Sequence, residues 1–114
     1  MQGVCLIYTC WPDADCAGAA ARVAVDEGLC ACANLLPGMT SIYRWEDRIE
    51  TASECVALFK TTTARAPALV VRLAELHPYD EPAILGLPVD AAGSAASFLT
   101  WIAAQTGSGR GNPA

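Results

Sequence analysis

The run from residue 30 to residue 50, CACANLLPGMTSIYRWEDRIE, constrains the fold more than any other part of the sequence. Its composition predicts a long strand, a tight turn at residues 45–48 and a returning strand. Pro37-Gly38 interrupts the first of these strands, because proline lacks the ladder donor and glycine permits unusual dihedral angles. β-branched and aromatic residues resume directly afterwards, as is typical of a strand. We therefore expect a long, bent hairpin, formed by the second and third strands, on which the other elements pack.

A short apolar strand and an alanine-rich helix precede this hairpin. Residues 3–9 form an apolar run that is typical of a central strand buried on both faces. Asp13 is a suitable helix cap, and four alanines give the following helix a small-residue face for close packing on a sheet. We expect this helix to run to about Glu27, with Gly28 just past its end.

The strand that returns from the hairpin is expected over residues 49–61, in two parts split near residues 51–53. A second helix is expected to begin at residues 63–64, because Pro67 is tolerated only near a helix start. This helix ends at His77, because the proline that follows disfavours the α region for the residue before it.

The chain closes with a strand over residues 83–87 and a last helix capped by Ser94. The predicted order is β-α-β-β-α-β-α, the ferredoxin-like split βαβ arrangement with one added C-terminal helix. The predicted fold class is therefore α+β. We expect a single domain over residues 1–105 and a flexible tail over residues 106–114.

Composition and charge narrow the classes of partner. The chain has 114 residues, which is enough for one domain, and only 17% of them are charged, below the usual quarter. A small domain with so little charge is expected to hide part of its surface in an oligomer. The net charge is −5 and no basic cluster occurs, which argues against nucleic acid or an anionic membrane as a partner.

The sequence also carries an expectation about compartment. The start, MQGVCLIYTC, has neither a basic region nor a small-residue cleavage pattern, and no apolar run approaches the ~20 residues of a membrane span. Without export, the six cysteines are expected to be free, mostly buried thiols rather than disulfides. We therefore expect a cytoplasmic protein.

Four segments together resemble one known family. They are LCACANLLPGMTSIYRWEDRIE (29–50), LFKTT (58–62), ELHPYDEPAILGLPV (75–89) and FLTWI (98–102). In order and spacing they are similar to the CutA family, the divalent-cation tolerance proteins. The chain departs from the family pattern at Arg44, where a second tryptophan is usual, near Asp47, where glycine is usual, and at Ala83, where glutamate is usual.

The resemblance implies more than a fold. It implies a ferredoxin-like CutA subunit assembled into a tight homotrimer, in which strands of neighbouring subunits extend each other's sheets. It also implies copper binding, a link to metal tolerance, and structural kinship to the PII nitrogen-signalling proteins. Among the cysteines, the resemblance marks Cys32 as the one at the family's cysteine position. It places Cys10 in the loop where some members have a copper-associated cysteine.

The residues themselves offer two candidate kinds of metal ligand. His77 is the only histidine, and it either ligates copper or is a helix-end side chain that bonds a free carbonyl. Cys30 and Cys32 stand at i and i+2, so they share one face of a strand. Either both thiols lie within reach of one soft metal ion, or they are two small residues of the core. With the resemblance, the candidate metal ligands are Cys32, His77 and Cys10.

A second candidate site involves Lys60, the only lysine. It ends a strand and could converge with Tyr79, Asp80 and Glu81 in a cleft for a small anionic ligand; the alternative is a solvated strand-end lysine.

The aromatic residues near the hairpin tip and in the last helix form a third group. Tyr43 and Trp45 are either a ligand platform or, as interfaces favour aromatic side chains, contacts to a neighbouring subunit. Trp101 is a further candidate for the trimer interface.

No catalytic triad, P-loop or dinucleotide-binding fingerprint occurs, so an enzyme is not predicted. The first hypothesis is a cytoplasmic homotrimer that binds copper or another divalent metal in metal tolerance. The alternative is a PII-like trimeric regulator that senses a small anionic ligand and contacts a partner protein. A third possibility is a structural scaffold whose function is the trimer itself.

Overall fold

The computed structural model describes residues 3–107 and has seven elements in the predicted order. They are β1 (Val4–Trp11), α1 (Ala14–Asp26), β2 (Cys32–Trp45), β3 (Arg48–Thr62), α2 (Ala66–Leu76), β4 (Ile84–Pro88) and α3 (Ala96–Gln105). The strands form one antiparallel sheet in the order β2-β3-β1-β4. The predicted ferredoxin-like α+β fold with an added C-terminal helix is confirmed.

The long bent hairpin is also confirmed. β2 and β3 pair from Cys32 opposite Lys60 to Trp45 opposite Arg48, with a shift of register between Leu36 and Met39. Pro37-Gly38 lies at that shift, and Gly38 has a φ of 77°, which glycine adopts without steric cost. The predicted split of β3 near residues 51–53 is wrong: these residues pair without interruption with residues 40–42 of β2.

The main core lies between one face of the sheet and the helices α1 and α2. Its largest members are Ile7, Trp11, Phe59, Leu69 and Leu73, each at most 2% exposed. The alanines of α1 face this core, so the helix axis approaches the sheet closely. The N-terminus of α1 is fixed by the predicted cap, because the Cys16 N–H donates to Oδ1 of Asp13 over 2.8 Å.

On the opposite face of the sheet, α3 is the one element found within residues 3–107. There Leu99 and Ile102 pack against Val4 and Ala31 in a second, smaller cluster. The predicted cap of α3 by Ser94 is wrong: the Ser94 hydroxyl donates to the carbonyl of Asp90, and Ala95 takes the cap position without a side-chain bond.

The outer half of the hairpin projects beyond the helices and gives the molecule its extents of 45 × 32 × 21 Å. β1 reaches along β3 only as far as Cys55, so residues 48–54 have β2 as their only strand neighbour within the described part of the chain. The hairpin therefore presents two free edges and two largely exposed faces.

The starts and ends of other elements differ from the prediction. α2 begins at Ala66 with Arg65 as its cap residue, because the Thr62 hydroxyl accepts the Arg65 N–H in a separate turn before the helix. The predicted tail begins with two bonded residues: the Thr106 hydroxyl donates to Ile102, and the Gly107 N–H donates to Gly28. The rest of the predicted tail lies outside the described residues.

Candidate metal and ligand sites

His77 is buried, and both of its ring nitrogens are engaged. Nε2 lies 2.6 Å from the carbonyl oxygen of Cys10, and Nδ1 accepts the N–H of Tyr79 over 3.1 Å. Because a carbonyl only accepts, Nε2 carries the proton and Nδ1 supplies the lone pair, which defines the neutral Nε2–H tautomer. These contacts match the second of the two sequence interpretations, a side chain that bonds a free carbonyl. A metal ion would need one of these bonds to break.

Trp11 forms the floor of the His77 site. The two rings are stacked, with centroids 4.1 Å apart and planes 24° apart. The indole N–H donates to the Thr9 hydroxyl over 2.6 Å, and that hydroxyl donates to the carbonyl of Ala57 over 2.8 Å. Sequence reasoning missed Trp11 because it ended the first strand at Thr9. The alternation of side chains between the two faces of the strand continues to residue 11, and this pattern is the signal that would have identified Trp11 as a core residue.

Cys10 lies within β1, so its placement in a loop is wrong. Its thiol donates to the Tyr8 hydroxyl over 3.5 Å. This hydrogen bond is the first cause of a raised pKa for Tyr8, followed by burial and the nearby charges of Cys10 and Glu54. Strand alternation puts Tyr8 and Cys10 on the sheet face opposite α1 and α2, since Thr9 and Trp11 point into the main core.

Cys32 and Cys30 differ sharply in environment. Cys32 is the first residue of β2, lies opposite Lys60 and is partly exposed. Cys30 precedes the strand and is 1% exposed. Burial, and secondly the neighbouring Cys32, raise the pKa of the Cys30 thiol to about 12. Cys30 is therefore protonated at neutral pH and poorly suited to bind a metal as a thiolate.

The three candidate metal ligands do not meet within one chain. Cys10 lies opposite Val56 and Cys32 opposite Lys60, four positions apart on β3. They are thus separated by about 13 Å along the strand and by two strand spacings across the sheet. Residues 3–107 contain no group of three or more His, Cys, Asp or Glu side chains that could hold a metal ion.

Lys60 is likewise distant from the other predicted members of the anion cleft. The Tyr79 hydroxyl donates to Oε2 of Glu54 over 3.3 Å. Glu54 stands six positions before Lys60 on β3, which corresponds to about 20 Å. Asp80 and Glu81 follow Tyr79 in the connector before β4 and are exposed. One chain alone does not bring these four residues together.

Glu54 is the polar centre that sequence reasoning missed. Its Oε1 accepts the Ser41 hydroxyl over 2.6 Å, while its Oε2 accepts Tyr79. Glu54 thus ties both strands of the hairpin to the connector that follows α2. The signal was present in the period-2 pattern, which puts Glu54 on the same face as Lys60.

The predicted interface residues are exposed in the single chain. Trp45 is 59% exposed, Tyr43 44% and Trp101 41%. Trp101 stacks on Phe98 with ring centroids 5.4 Å apart. Exposed apolar side chains in such numbers on one small domain are typical of an interaction surface.

A family model described as CutA1 divalent ion tolerance protein matches residues 5–105. The chain belongs to the CutA family. The divalent-cation tolerance protein CutA of Thermus thermophilus is 40% identical over 107 residues, which cover 94% of this chain and 100% of that protein.

Solved structures agree with this assignment. CutA from Xylella fastidiosa superposes with a TM-score of 0.86 at 38% identity, covering 92% of this chain and 99% of that one. The protein from Archaeoglobus fulgidus has a TM-score of 0.82 at 28% identity, covers 87% of this chain and 94% of that one, and is described as a periplasmic divalent cation tolerance protein CutA. The comparisons do not favour the PII-like alternative. Within residues 3–107 no helix is long and apolar enough to cross a membrane.

Proposed function

We propose that this CutA chain forms a homotrimer that binds copper or another divalent metal at sites shared between chains. The observation that carries the proposal is the outer hairpin, whose free edges and apolar side chains have no partner within residues 3–107. Ile42 is 73% exposed and Ile49 is 72% exposed. Unpaired edge groups and exposed aliphatic side chains favour pairing with another chain.

Closed cyclic symmetry suits such a surface. A hairpin that pairs with the next copy makes a head-to-tail contact, which closes into a ring when the rotation permits. The free edge of β4 is the natural acceptor, because it is the other outer strand of the sheet. Three copies joined in this way would pair the edge of every β4 with a hairpin edge of a neighbouring chain.

The metal proposal follows from the isolation of the ligands. Cys10 and Cys32 each contribute a single thiol on the sheet face opposite α1 and α2, and neither has enough partners within its chain. Rotational symmetry brings copies of one residue together when that residue lies near the axis, and a set of thiolates suits a soft ion such as Cu(I). We propose the two thiols as ligands ahead of His77, because the imidazole already has partners on both nitrogens.

The remaining parts of the proposal concern location and activity. We propose a cytoplasmic protein without enzymatic activity, acting in tolerance to metal ions, in which the only required partner is a second and third copy of itself. Its net charge of −5 supports the absence of nucleic acid as a partner.

The test is native mass spectrometry of the reduced protein, with and without one equivalent of Cu(I) per chain. We expect a trimer that takes up copper in a fixed ratio. Cys10→Ser and Cys32→Ser are each expected to remove the copper bound by that thiol, and the double variant to abolish uptake, while the trimer persists; His77→Gln is the matched variant that retains uptake. A monomer would overturn the assembly, and unchanged uptake in both cysteine variants would overturn the ligands.

A further inference from the structure

A row of side chains leads from the main core to the base of the outer hairpin. It begins at Trp11, which is fully buried and stacks on His77. The rings of His77 and Tyr79 come next, with centroids 4.9 Å apart and planes tilted by 49°. The Tyr79 hydroxyl then donates to Glu54, which also accepts the Ser41 hydroxyl. Successive contacts therefore connect a core tryptophan with both strands of the hairpin.

This row ends where the hairpin can bend. The register shift lies between Leu36 and Met39, and Glu54 pairs with Met39, the first residue beyond the shift. Leu36 is 50% exposed, and Pro37 and Gly38 are exposed as well, so little packing holds the bulge in place. A bulge disrupts the ladder locally and bends its strand. The direction of the hairpin beyond this point therefore depends on the contacts made there.

Tyr79 supplies the polar contact between the outer hairpin and the rest of the subunit. The other side-chain hydrogen bonds found for residues 39–54 stay inside the hairpin. The ion pairs within residues 3–107 belong to Arg72 on α2. β1 pairs with β3 only as far as Cys55, so it gives no ladder support beyond that residue.

The connector that carries Tyr79 is itself fixed. The Tyr79 N–H donates to Nδ1 of His77, and Nε2–H of that ring donates to the carbonyl of Cys10 at the end of β1. Pro78 and Pro82 lie on either side in the connector and restrict its φ angles. The phenol is therefore held on a support that has few free dihedral angles.

We infer that Tyr79 acts as a strap that sets the angle of the outer hairpin at the Pro37-Gly38 bulge. The strap depends on one exposed hydrogen bond, to Glu54, so it opens at a lower free energy than the core. An angle fixed in advance reduces the freedom that the hairpin loses when it pairs with another chain. The effect on assembly rests on the trimer proposed above, whereas the strap is a property of the single chain.

The test measures residual dipolar couplings of backbone N–H groups in the Ile42→Lys variant, in which assembly is expected to be weakened. With the strap intact, we expect the couplings of the outer hairpin to fit the same alignment as those of β1. Adding Tyr79→Phe is expected to shrink the couplings of residues 39–45 and 48–54 and to leave those of β1 unchanged. A loss of stability alone would not produce this difference, because these couplings report orientation in the native state.

Tyr43→Phe is the matched control, because it removes the same atom from a hairpin tyrosine of similar exposure, 44% against 42% for Tyr79. Glu54→Ala is expected to act as Tyr79→Phe does, with no further change in the double variant. Hairpin couplings that stay unchanged in Tyr79→Phe, or that shrink equally in Tyr43→Phe, would overturn the strap.

The consequence for assembly has its own readout. Without the Ile42→Lys change, Tyr79→Phe is expected to raise the concentration at which the trimer dissociates about two- to fivefold, the factor that corresponds to one net hydrogen bond. Native mass against dilution measures it. A wild-type protein that is a monomer at every concentration would overturn the trimer, and the couplings would then test the strap in the wild-type chain.

Discussion

His77 lies flat against Trp11, and its Nε2–H donates to the carbonyl of Cys10, the residue just before that tryptophan. One side chain at the end of α2 thus fixes both the backbone and the side chain at the end of β1. The sole histidine of the chain therefore connects the end of α2 to the sheet.

The first prediction concerns this contact between His77 and the end of β1. His77→Ala removes a stacking partner and leaves the Cys10 carbonyl and the Tyr79 N–H without bonds. We expect the free energy of unfolding to fall by about 2–4 kcal/mol, since each buried unsatisfied group costs about 1–3 kcal/mol. Urea denaturation measures the loss. Tyr79→Phe, which keeps the backbone bond, is the control, and an equal loss in both variants would contradict the role of the imidazole.

The second prediction concerns alkaline pH. The pKa of Cys30 is raised from 9.0 to about 12 by burial, so the native state keeps a proton that the unfolded state loses. The stability from this group is complete below pH 9 and is lost as pH rises toward 12. We expect the free energy of unfolding to fall in that window by about 1.4 kcal/mol per pH unit at most.

Denaturation curves at several alkaline pH values measure this slope. Cys30→Ala is expected to flatten it, while Cys32→Ala leaves it largely in place. A slope unchanged in Cys30→Ala would assign the alkaline loss to other groups.

The third prediction concerns Glu54. Glu54→Gln weakens the bonds to Ser41 and Tyr79 without removing them, and we expect the free energy of unfolding to fall by about 1 kcal/mol, the typical net contribution of one protein hydrogen bond. Burial and then Glu54 raise the pKa of Tyr79, so this pKa is expected to fall in the variant. Tyrosine absorbance during an alkaline titration follows the change, with Tyr79→Phe to identify the contribution. Additive stability losses in the double variant would show that the two side chains do not interact.

The fourth prediction concerns assembly. Ile42→Lys puts a charge on the outer hairpin and is expected to lower the oligomeric mass in size-exclusion chromatography with light scattering. Val71→Lys is the matched control, because Val71 is 60% exposed on α2, away from the hairpin. A mass that stays unchanged in Ile42→Lys, or that drops equally in both variants, would argue against the hairpin as the interface.

The features that the sequence predicted correctly depend on neighbouring residues. Pro37-Gly38 marks the register shift, and Asp13 marks the start of α1, because each acts through its own backbone. The extension of β1 to Trp11 was missed, although the alternation continues, because it rests on the pairing of Cys10 and Trp11 with Val56 and Cys55 of the distant β3. The unbroken β3 was missed for the same kind of reason: residues 51–53 are polar or small, and only pairing with β2 keeps them in a strand.

The candidate sites were also predicted incompletely, because they depend on which distant residues lie next to each other in the sheet. Sequence spacing put Cys30 and Cys32 on one strand face, but β2 begins only at Cys32 and Cys30 is buried before it. The anion cleft grouped Lys60 with Tyr79 because both lie near strand ends. Those ends turned out to be at opposite ends of the sheet, which only the register of β3 against its neighbours could reveal.

The free edges of the outer hairpin also bear on the lifetime of the protein. A ladder of two strands with both faces largely exposed is marginally stable in water, so this segment opens at a lower free energy than the core. The turn at Glu46 and Asp47, where both φ angles are positive, is then open to a protease. Pairing with another chain closes that route, so the rate of degradation would depend on protein concentration.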